Sequence, residues 1–296
     1  MNDYILSCCS TADLSAEHLK ARNIPFLSYP YTFNGERRLD DMGQSMPMED
    51  FYKALADGAE VTSSQINIDE YMSFFRSFFE QGKDVLHIAF STGLTQSSRN
   101  AIIAGQILAE DFPERRLCVV DSLAASSGYG LLVDTLADLR DGGMGFDELR
   151  DWAEENKCRV QHWFLSGDLS FYIKGGRISK AAGTVATMLG ICPLMNVDAE
   201  GRLAVVEKVR SKRRVIEAIV GKMEQLAEGG TDYSGKCFIS HSGCEADALA
   251  VMNLICERFP KLAATPSLFS IGTVIGCHTG PGTVALFFWG KDRRAE

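Results

Sequence analysis

The chain has 296 residues, of which 46% are hydrophobic and 23% charged, with a formal net charge of −9. This is the composition of a folded protein large enough for one big α/β unit or two closely joined lobes, and it excludes disordered and fibrous classes. An acidic balance without a clustered Lys/Arg stripe argues against a nucleic-acid partner, and no apolar run approaches the roughly 18 residues of a membrane helix.

The first strand is expected over Tyr4–Cys8. The preceding Met1-Asn2-Asp3 has no basic and apolar leader pattern, so a cytoplasmic location is expected. A helix beginning near Pro47 places Phe51, Ala54 and Leu55 on one face. A second helix carries Tyr71, Phe74, Phe75 and Phe78 at i, i+3, i+4 and i+7, a stripe that reads first as core. Strands over Asp84–Phe90 and Leu117–Val120 flank a helix from Gln96 to Glu110, and another helix runs over Phe146–Lys157. This alternation predicts a mostly parallel sheet flanked by helices.

Beyond residue 160 the character changes. Strands are expected at Val160–Leu165, Cys192–Val197, Leu203–Val209, Lys236–Ser240 and Val284–Trp289. Helices are expected near Lys180–Leu189, Lys212–Glu228 and Ala246–Phe259. Asp198 to Gly201 reads as a hairpin turn, which favours a mixed or antiparallel sheet with helices. The expected organisation is therefore α/β with two lobes, residues 1–160 and 161–296, and no low-complexity linker between them.

The nine cysteines are an odd number with no CxxC pair and no Cys/His spacing suited to zinc. Reduced, mostly buried thiols and no metal are the expectation.

Four hydroxyl-rich segments lie where α/β sheets form ligand crevices: Ser10-Thr11-Ala12-Asp13, Thr62-Ser63-Ser64-Gln65, Ser91-Thr92-Gly93-Leu94-Thr95 and Asp121-Ser122. Any one of them is explained by helix capping, but four together suggest a polar site. None offers the lysine and glycine cradle of a Walker-type nucleotide site. In the second half, Lys174-Gly175-Gly176-Arg177-Ile178-Ser179 reads as a tight turn from a β run into a helix, projecting Arg177. Cys277-His278-Thr279-Gly280-Pro281-Gly282 reads as a loop that holds a histidine among small residues. The other histidines are weaker candidates: His18 and His162 read as incidental, His87 lies within a strand and His241 follows one. Serine with histidine also admits a hydrolase or acyl-transfer enzyme using Ser91 or Ser63 with His278. No G-x-S-x-G elbow occurs, and no acidic partner for the histidine can be assigned. A phosphotransfer or sugar-binding module is a third reading of the same architecture.

In this order and spacing the segments resemble the DegV family of bacterial fatty-acid-binding proteins, over nearly the whole chain. The motifs are Ser10-Thr11-Ala12-Asp13-Leu14, Thr62-Ser63-Ser64-Gln65, Ser91-Thr92-Gly93-Leu94-Thr95, Val120-Asp121-Ser122, Lys174-Gly175-Gly176-Arg177-Ile178-Ser179 and His278-Thr279-Gly280-Pro281-Gly282. The resemblance implies one long-chain fatty acid held between the lobes, with no cofactor. It also implies a partner, the catalytic subunit of fatty acid kinase, and a place in phospholipid metabolism. It assigns the carboxylate to Ser91, with Thr62 or Ser63 adding a hydroxyl and His278 completing the network; Thr92 and Thr279 line the same site. Arg177 and Arg210 are assigned to the partner interface or the carboxyl end. The chain departs from the family pattern at Cys9, in place of an aspartate, and at Thr95-Gln96-Ser97-Ser98, in place of Ser-Gly-Thr-Tyr.

Such a ligand divides the work. Burying about 15 methylenes at roughly 0.8 kcal/mol each gives on the order of 12 kcal/mol before association costs, so the tail supplies affinity and the head group orientation. Phosphoryl transfer needs a nucleotide cradle and magnesium ligands, so the chain reads as a carrier and not as an enzyme.

Overall fold

A computed structural model describes residues 4–179 and 191–295 of the chain. The first strand, β1 (Tyr4–Cys9), pairs in parallel with β2 (Phe26–Leu27) on one side and β6 (Asp84–Ala89) on the other. β7 (Leu117–Asp121) follows, giving a four-stranded sheet of order β2-β1-β6-β7. Five of the six β1 residues are buried, as expected of a parallel strand covered on both faces.

The second sheet has six strands, in the order β10 (Leu203–Arg210), β9 (Ile191–Val197), β8 (Val160–Ser166), β13 (Thr283–Trp289), β11 (Cys237–His241) and β12 (Ser267–Ser270). Only β11 and β12 run parallel, so the sheet is mixed. The turn at Asp198–Gly201 joins β9 to β10 as an antiparallel hairpin, closed by the Asp198 amide on the Arg202 carbonyl. Two sheets of these kinds, with helices around them, are the expected α/β class.

A third, small sheet went unread in the sequence. β3 (Pro30–Phe33) pairs antiparallel with β4 (Glu36–Leu39) and β5 (Val61–Ser63). Its hairpin turn is Asn34-Gly35, both at positive φ, which is the pairing a two-residue turn favours.

The helices, in chain order, are α1 (Ala16–Ala21), α2 (Met48–Ala56), α3 (Ile68–Phe79), α4 (Ser97–Asp111), α5 (Ser126–Asp141), α6 (Phe146–Asn156), α7 (Ser170–Lys174), α8 (Lys212–Leu226), α9 (Glu245–Arg258) and α10 (Thr273–Thr279). The aromatic stripe of α3 is core, as expected. Tyr71, Phe75 and Phe79 form its buried face, and Phe74 and Phe78 flank it half-buried.

Helix α5 joins the two large sheets, packing on β1 as well as on β8, β11 and β13. Two glycines permit that approach. A methyl on Gly128 would run into His162 and Phe287, and one on Gly130 would lie 2.5 Å from the Ala12 carbonyl. One continuous hydrophobic core therefore runs from Leu6 and Ile88 through Leu132 and Leu136 to Phe164 and Phe287. Because α5 is buried nearly all round, Asp134 and Arg140 included, its polar residues do not gather on one exposed face, and no amphipathic stripe marks it in the sequence.

Two sequence expectations are corrected. His278 lies not in a loop but in the last turn of α10, which ends at Gly280 in the left-handed region, φ +62. Gly276 disguises this helix, since it is required by the rings of Phe51 and Tyr52, 2.7 and 2.8 Å from where a methyl would sit. The Lys174–Ser179 turn follows a short helix, α7, and not a strand. The helix expected over Lys180–Leu189 lies outside the described residues.

Candidate ligand-binding site

A cavity of about 420 Å³ opens between the two large sheets. This is within the usual range of small-molecule sites, roughly 300–1,000 Å³. One wall follows from the period-2 alternation of β8 and β13. His162 and Phe164 on β8, and Thr283, Ala285 and Phe287 on β13, point to the same side, with Val197 and Leu203 beside them. The opposite wall comes from the first half: Phe90, Thr92, Gly93, Leu94 and Thr95 of the loop after β6, and Ala125 and Ser126 at the start of α5.

Polar groups gather where α10, α7 and β5 meet. Ser63 Oγ and His278 Nε2 are 2.7 Å apart. His278 Nδ1 is buried with no hydrogen-bond partner among the described residues, and a methyl on Gly175 would collide with it. With Nδ1 pressed against the Gly175 backbone, the imidazole proton belongs on Nε2, which donates to Ser63 Oγ and leaves the Ser63 hydroxyl free to donate into the cavity. Burial, with the Arg177 guanidinium nearby, lowers the His278 pKa to about 4, so the ring is neutral at pH 7.

Arg177 follows the Gly175-Gly176 turn, where Gly176 adopts φ +71. Its guanidinium donates to the Gly175 carbonyl at 2.6 Å and the Leu94 carbonyl at 3.1 Å. No carboxylate pairs with it among the described residues. Burial lowers its pKa, yet an arginine stays charged, so the cavity wall carries a half-buried cation in need of an anion. Thr95 lies beside Leu94 on the cavity wall, where its Oγ1 accepts from the Ser97 amide at 3.2 Å and its hydroxyl lies against that of Tyr29.

The structure thus brings together Ser63, Thr92, Arg177, His278 and Thr279 of the residues singled out in the sequence, and it sets three apart. Thr62 is exposed and points away from the cavity, because it alternates with Ser63 along β5. Arg210 is exposed at the end of β10. Ser91 lies fully buried behind the cavity wall, where its hydroxyl donates to the Gly201 carbonyl at 2.8 Å and accepts from the Gly93 amide at 3.1 Å. Thr92 lines the wall with its hydroxyl committed to Asp121.

Two residues of the wall escaped the sequence reading. Thr95 stood in a quoted motif without a role, and His162 was set aside although strand alternation turns it inward with Phe164. Phe74, Phe75 and Phe78 of α3 pack away from this cavity, and Ile102 of α4 is 46% exposed. Met188 and Leu189 lie outside the described residues.

The Ser63–His278 contact has the spacing of a nucleophile and base, but Gly175 occupies the side of the imidazole where an orienting acid would stand. Among the described residues, no group of three or more His, Cys, Asp or Glu side chains is placed to hold a metal ion. No described helix is long and apolar enough to cross a membrane.

The site is thus a largely apolar cavity between two α/β sheets, with hydroxyls and a guanidinium that has no carboxylate partner among the described residues on its wall. A family model described as an uncharacterised protein of the DegV family matches residues 9–291, and the chain belongs to that family. It is 35% identical over 286 residues to the DegV domain-containing protein YteA of Lactococcus lactis, covering 96% of this chain and 97% of the relative. It is 30% identical over 293 residues to the DegV domain-containing protein CPE0026 of Clostridium perfringens, covering 99% of each. Solved structures share the fold. A stearic-acid-binding protein of Eubacterium ventriosum superposes with a TM-score of 0.85 at 22% identity, over 99% of this chain and 100% of the other. A DegV lipid-binding protein of Thermotoga maritima gives a TM-score of 0.83 at 22% identity, with the same coverage.

Proposed function

We propose that this chain is a carrier that encloses one long-chain fatty acid between its lobes and presents the carboxylate to a separate kinase for acyl-phosphate formation. The observation that carries the reading is Arg177, a cation without a carboxylate partner among the described residues, on the wall of an otherwise largely apolar cavity. A fatty-acid carboxylate is the counterion it lacks, and the Ser63 and Thr95 hydroxyls supply the neutral donors that replace lost hydration. The tail runs between Phe164, Phe287, Val197 and Leu203, where burial of methylenes provides the affinity. Solved proteins of the same fold with fatty acids named as their ligands support the assignment. No cofactor is required for this role. In it, Ser91 holds the loop of Thr95 in place, and Arg210 faces the kinase.

The test is mass spectrometry of an organic extract from the purified, denatured protein. Stoichiometric long-chain fatty acid is the expected result, and an empty extract from protein that also fails to take up added fatty acid overturns the reading. Acyl-phosphate formation with ATP and a fatty acid kinase subunit then tests presentation.

A further inference from the structure

A network of polar side chains runs from the wall of the large cavity into the four-stranded sheet. It starts at Tyr29, between β2 and β3, which lines the cavity and is itself buried. The Tyr29 ring stands edge-on to Phe90, with 6.3 Å between centroids, and the Tyr29 amide donates to the Ser10 hydroxyl at 3.1 Å. The phenol hydroxyl lies among the hydroxyls of Thr95, Ser97 and Tyr71. Tyr71 Oη is in turn 3.2 Å from Ser97 Oγ and 3.6 Å from Cys9 Sγ. Cys9 Sγ is 3.5 Å from His87 Nε2, and His87 Nδ1 is 3.0 Å from Ser7 Oγ. Ser7, Cys9, Tyr71, His87 and Ser97 are fully buried, whereas Tyr29 and Thr95 are the members on the cavity wall.

Burial keeps the titratable members neutral at pH 7. It pushes the Cys9 thiol up to about 12 and the Tyr29 and Tyr71 phenols upward, and it lowers His87 to about 3. A buried network without charge is rigid when its groups satisfy one another and costly when they do not. The Thr95 hydroxyl offers one proton and two lone pairs, and one lone pair takes the Ser97 amide. With Tyr29 donating to the other, the Thr95 proton is left for the cavity. An anionic oxygen there favours that arrangement, because a hydrogen bond to a charged acceptor is roughly twice as strong as a neutral one.

We propose that Tyr29 is a positioning residue for the ligand head group: its hydroxyl, held by Ser97 and Tyr71, fixes Thr95 Oγ1 so that the Thr95 proton is directed at an anionic oxygen in the cavity. The proposal rests on the fatty-acid reading of that cavity and adds a source of specificity to it, a preference for the acid over a neutral head group on the same tail. Tyr29 acts through Thr95, and Ser97, Tyr71 and Cys9 act through Tyr29.

The test is displacement of a fluorescent fatty-acid analogue by palmitate and by hexadecanol, from wild type, Tyr29→Phe, Thr95→Val and the double variant. Tyr29→Phe keeps the ring against Phe90 and removes only the hydroxyl. Palmitate affinity should fall at least about fivefold in Tyr29→Phe and hexadecanol affinity less than about twofold. The double variant should lose no more palmitate affinity than Thr95→Val alone, because the two residues form one unit. If Tyr29→Phe does not fold, Tyr71→Phe removes the next hydroxyl along, and it should weaken palmitate at least about twofold and by more than it weakens hexadecanol. Unchanged palmitate affinity, equal losses for acid and alcohol, or additive losses in the double variant overturn the proposal. A wild-type protein that binds no palmitate overturns the fatty-acid reading itself, and the proposal with it.

Discussion

Gly175 lies against the imidazole of His278 so closely that no side chain fits between them. The glycine is there for space and not for backbone freedom, because its φ of −74 is open to any residue. Gly175→Ala should therefore leave α7 intact and push His278 off Ser63, at about 1–3 kcal/mol of overpacking. The neighbouring Gly176 is the reverse case, with φ +71 and open space where a methyl would sit. Gly176→Ala should lower the melting temperature by a strain of roughly 1–2 kcal/mol and leave the cavity unchanged. Fatty-acid affinity, measured by displacement of a fluorescent analogue, should fall in the first variant and hold in the second.

Arg177 is expected to carry the anionic end of the ligand. Replacing it by Met keeps the apolar stem and removes the guanidinium, so binding should weaken by about 1.5–3 kcal/mol, the value of a hydrogen bond to a charged group. Arg177→Lys keeps the charge but not the fork that also grips the Leu94 carbonyl, and it should fall between Met and wild type. A fatty alcohol of the same length should lose affinity far less on Arg177→Met than the acid does. Equal losses for alcohol and acid would move the carboxylate elsewhere.

The pH dependence of stability should separate Asp40 from the histidines. Asp40 has a folded pKa of about 6 against an unfolded value near 3.8, so the folded protein binds the proton more tightly. Its contribution is fully present below about pH 4 and is lost as pH rises through 6. His87 and His278, lowered to about 3 and about 4 by burial, work in the opposite sense, and their contributions are lost as pH falls below 6.5. Asp40→Asn removes only the first effect. It should be more stable than wild type above pH 6, by on the order of 3 kcal/mol, with the difference vanishing near pH 4. Thermal melts of both proteins across that range read the difference directly.

Much of this architecture was open to inspection before the structure. β1, β6 and β7 announce themselves as short apolar runs between helices, and the Asp198–Gly201 turn betrays an antiparallel pair. What stayed hidden was hidden for physical reasons. Helix α5 is buried on nearly every side, so it lacks the polar face that marks a helix in sequence. Helix α10 contains Gly276 because two aromatic rings from α2 crowd it, and a local rule reads that glycine as a loop. The Asn34-Gly35 turn was legible and went unread. Ser63, His278 and Arg177, singled out in the sequence, line one cavity, whereas the burial of Ser91 behind its wall cannot be read from order along the chain. Only the fold shows that Ser91 turns toward the β9–β10 hairpin.

Ser91 offers the last prediction, because its role now rests on that hairpin. Its hydroxyl bridges the Gly93 amide and the Gly201 carbonyl, fastening the loop after β6 of the four-stranded sheet to the tip of the β9–β10 turn of the six-stranded one. The fit is close enough that a methyl on Gly201, itself at φ +73, would strike Ser91 Oγ. Ser91→Ala leaves the buried Gly201 carbonyl and the half-buried Gly93 amide short of a partner and should cost about 1–3 kcal/mol of stability. Fatty-acid affinity, measured below the melting transition, should change little, since the side chain lies behind the wall. Thr95→Val should differ by weakening the acid as well, because Thr95 lines the cavity from the adjoining turn, while the loss of the acceptor for the Ser97 amide lowers the melting temperature too. If Ser91→Ala instead abolishes binding while the melting temperature stays fixed, the carboxylate reaches deeper than the wall described here, and Ser91 touches the ligand after all.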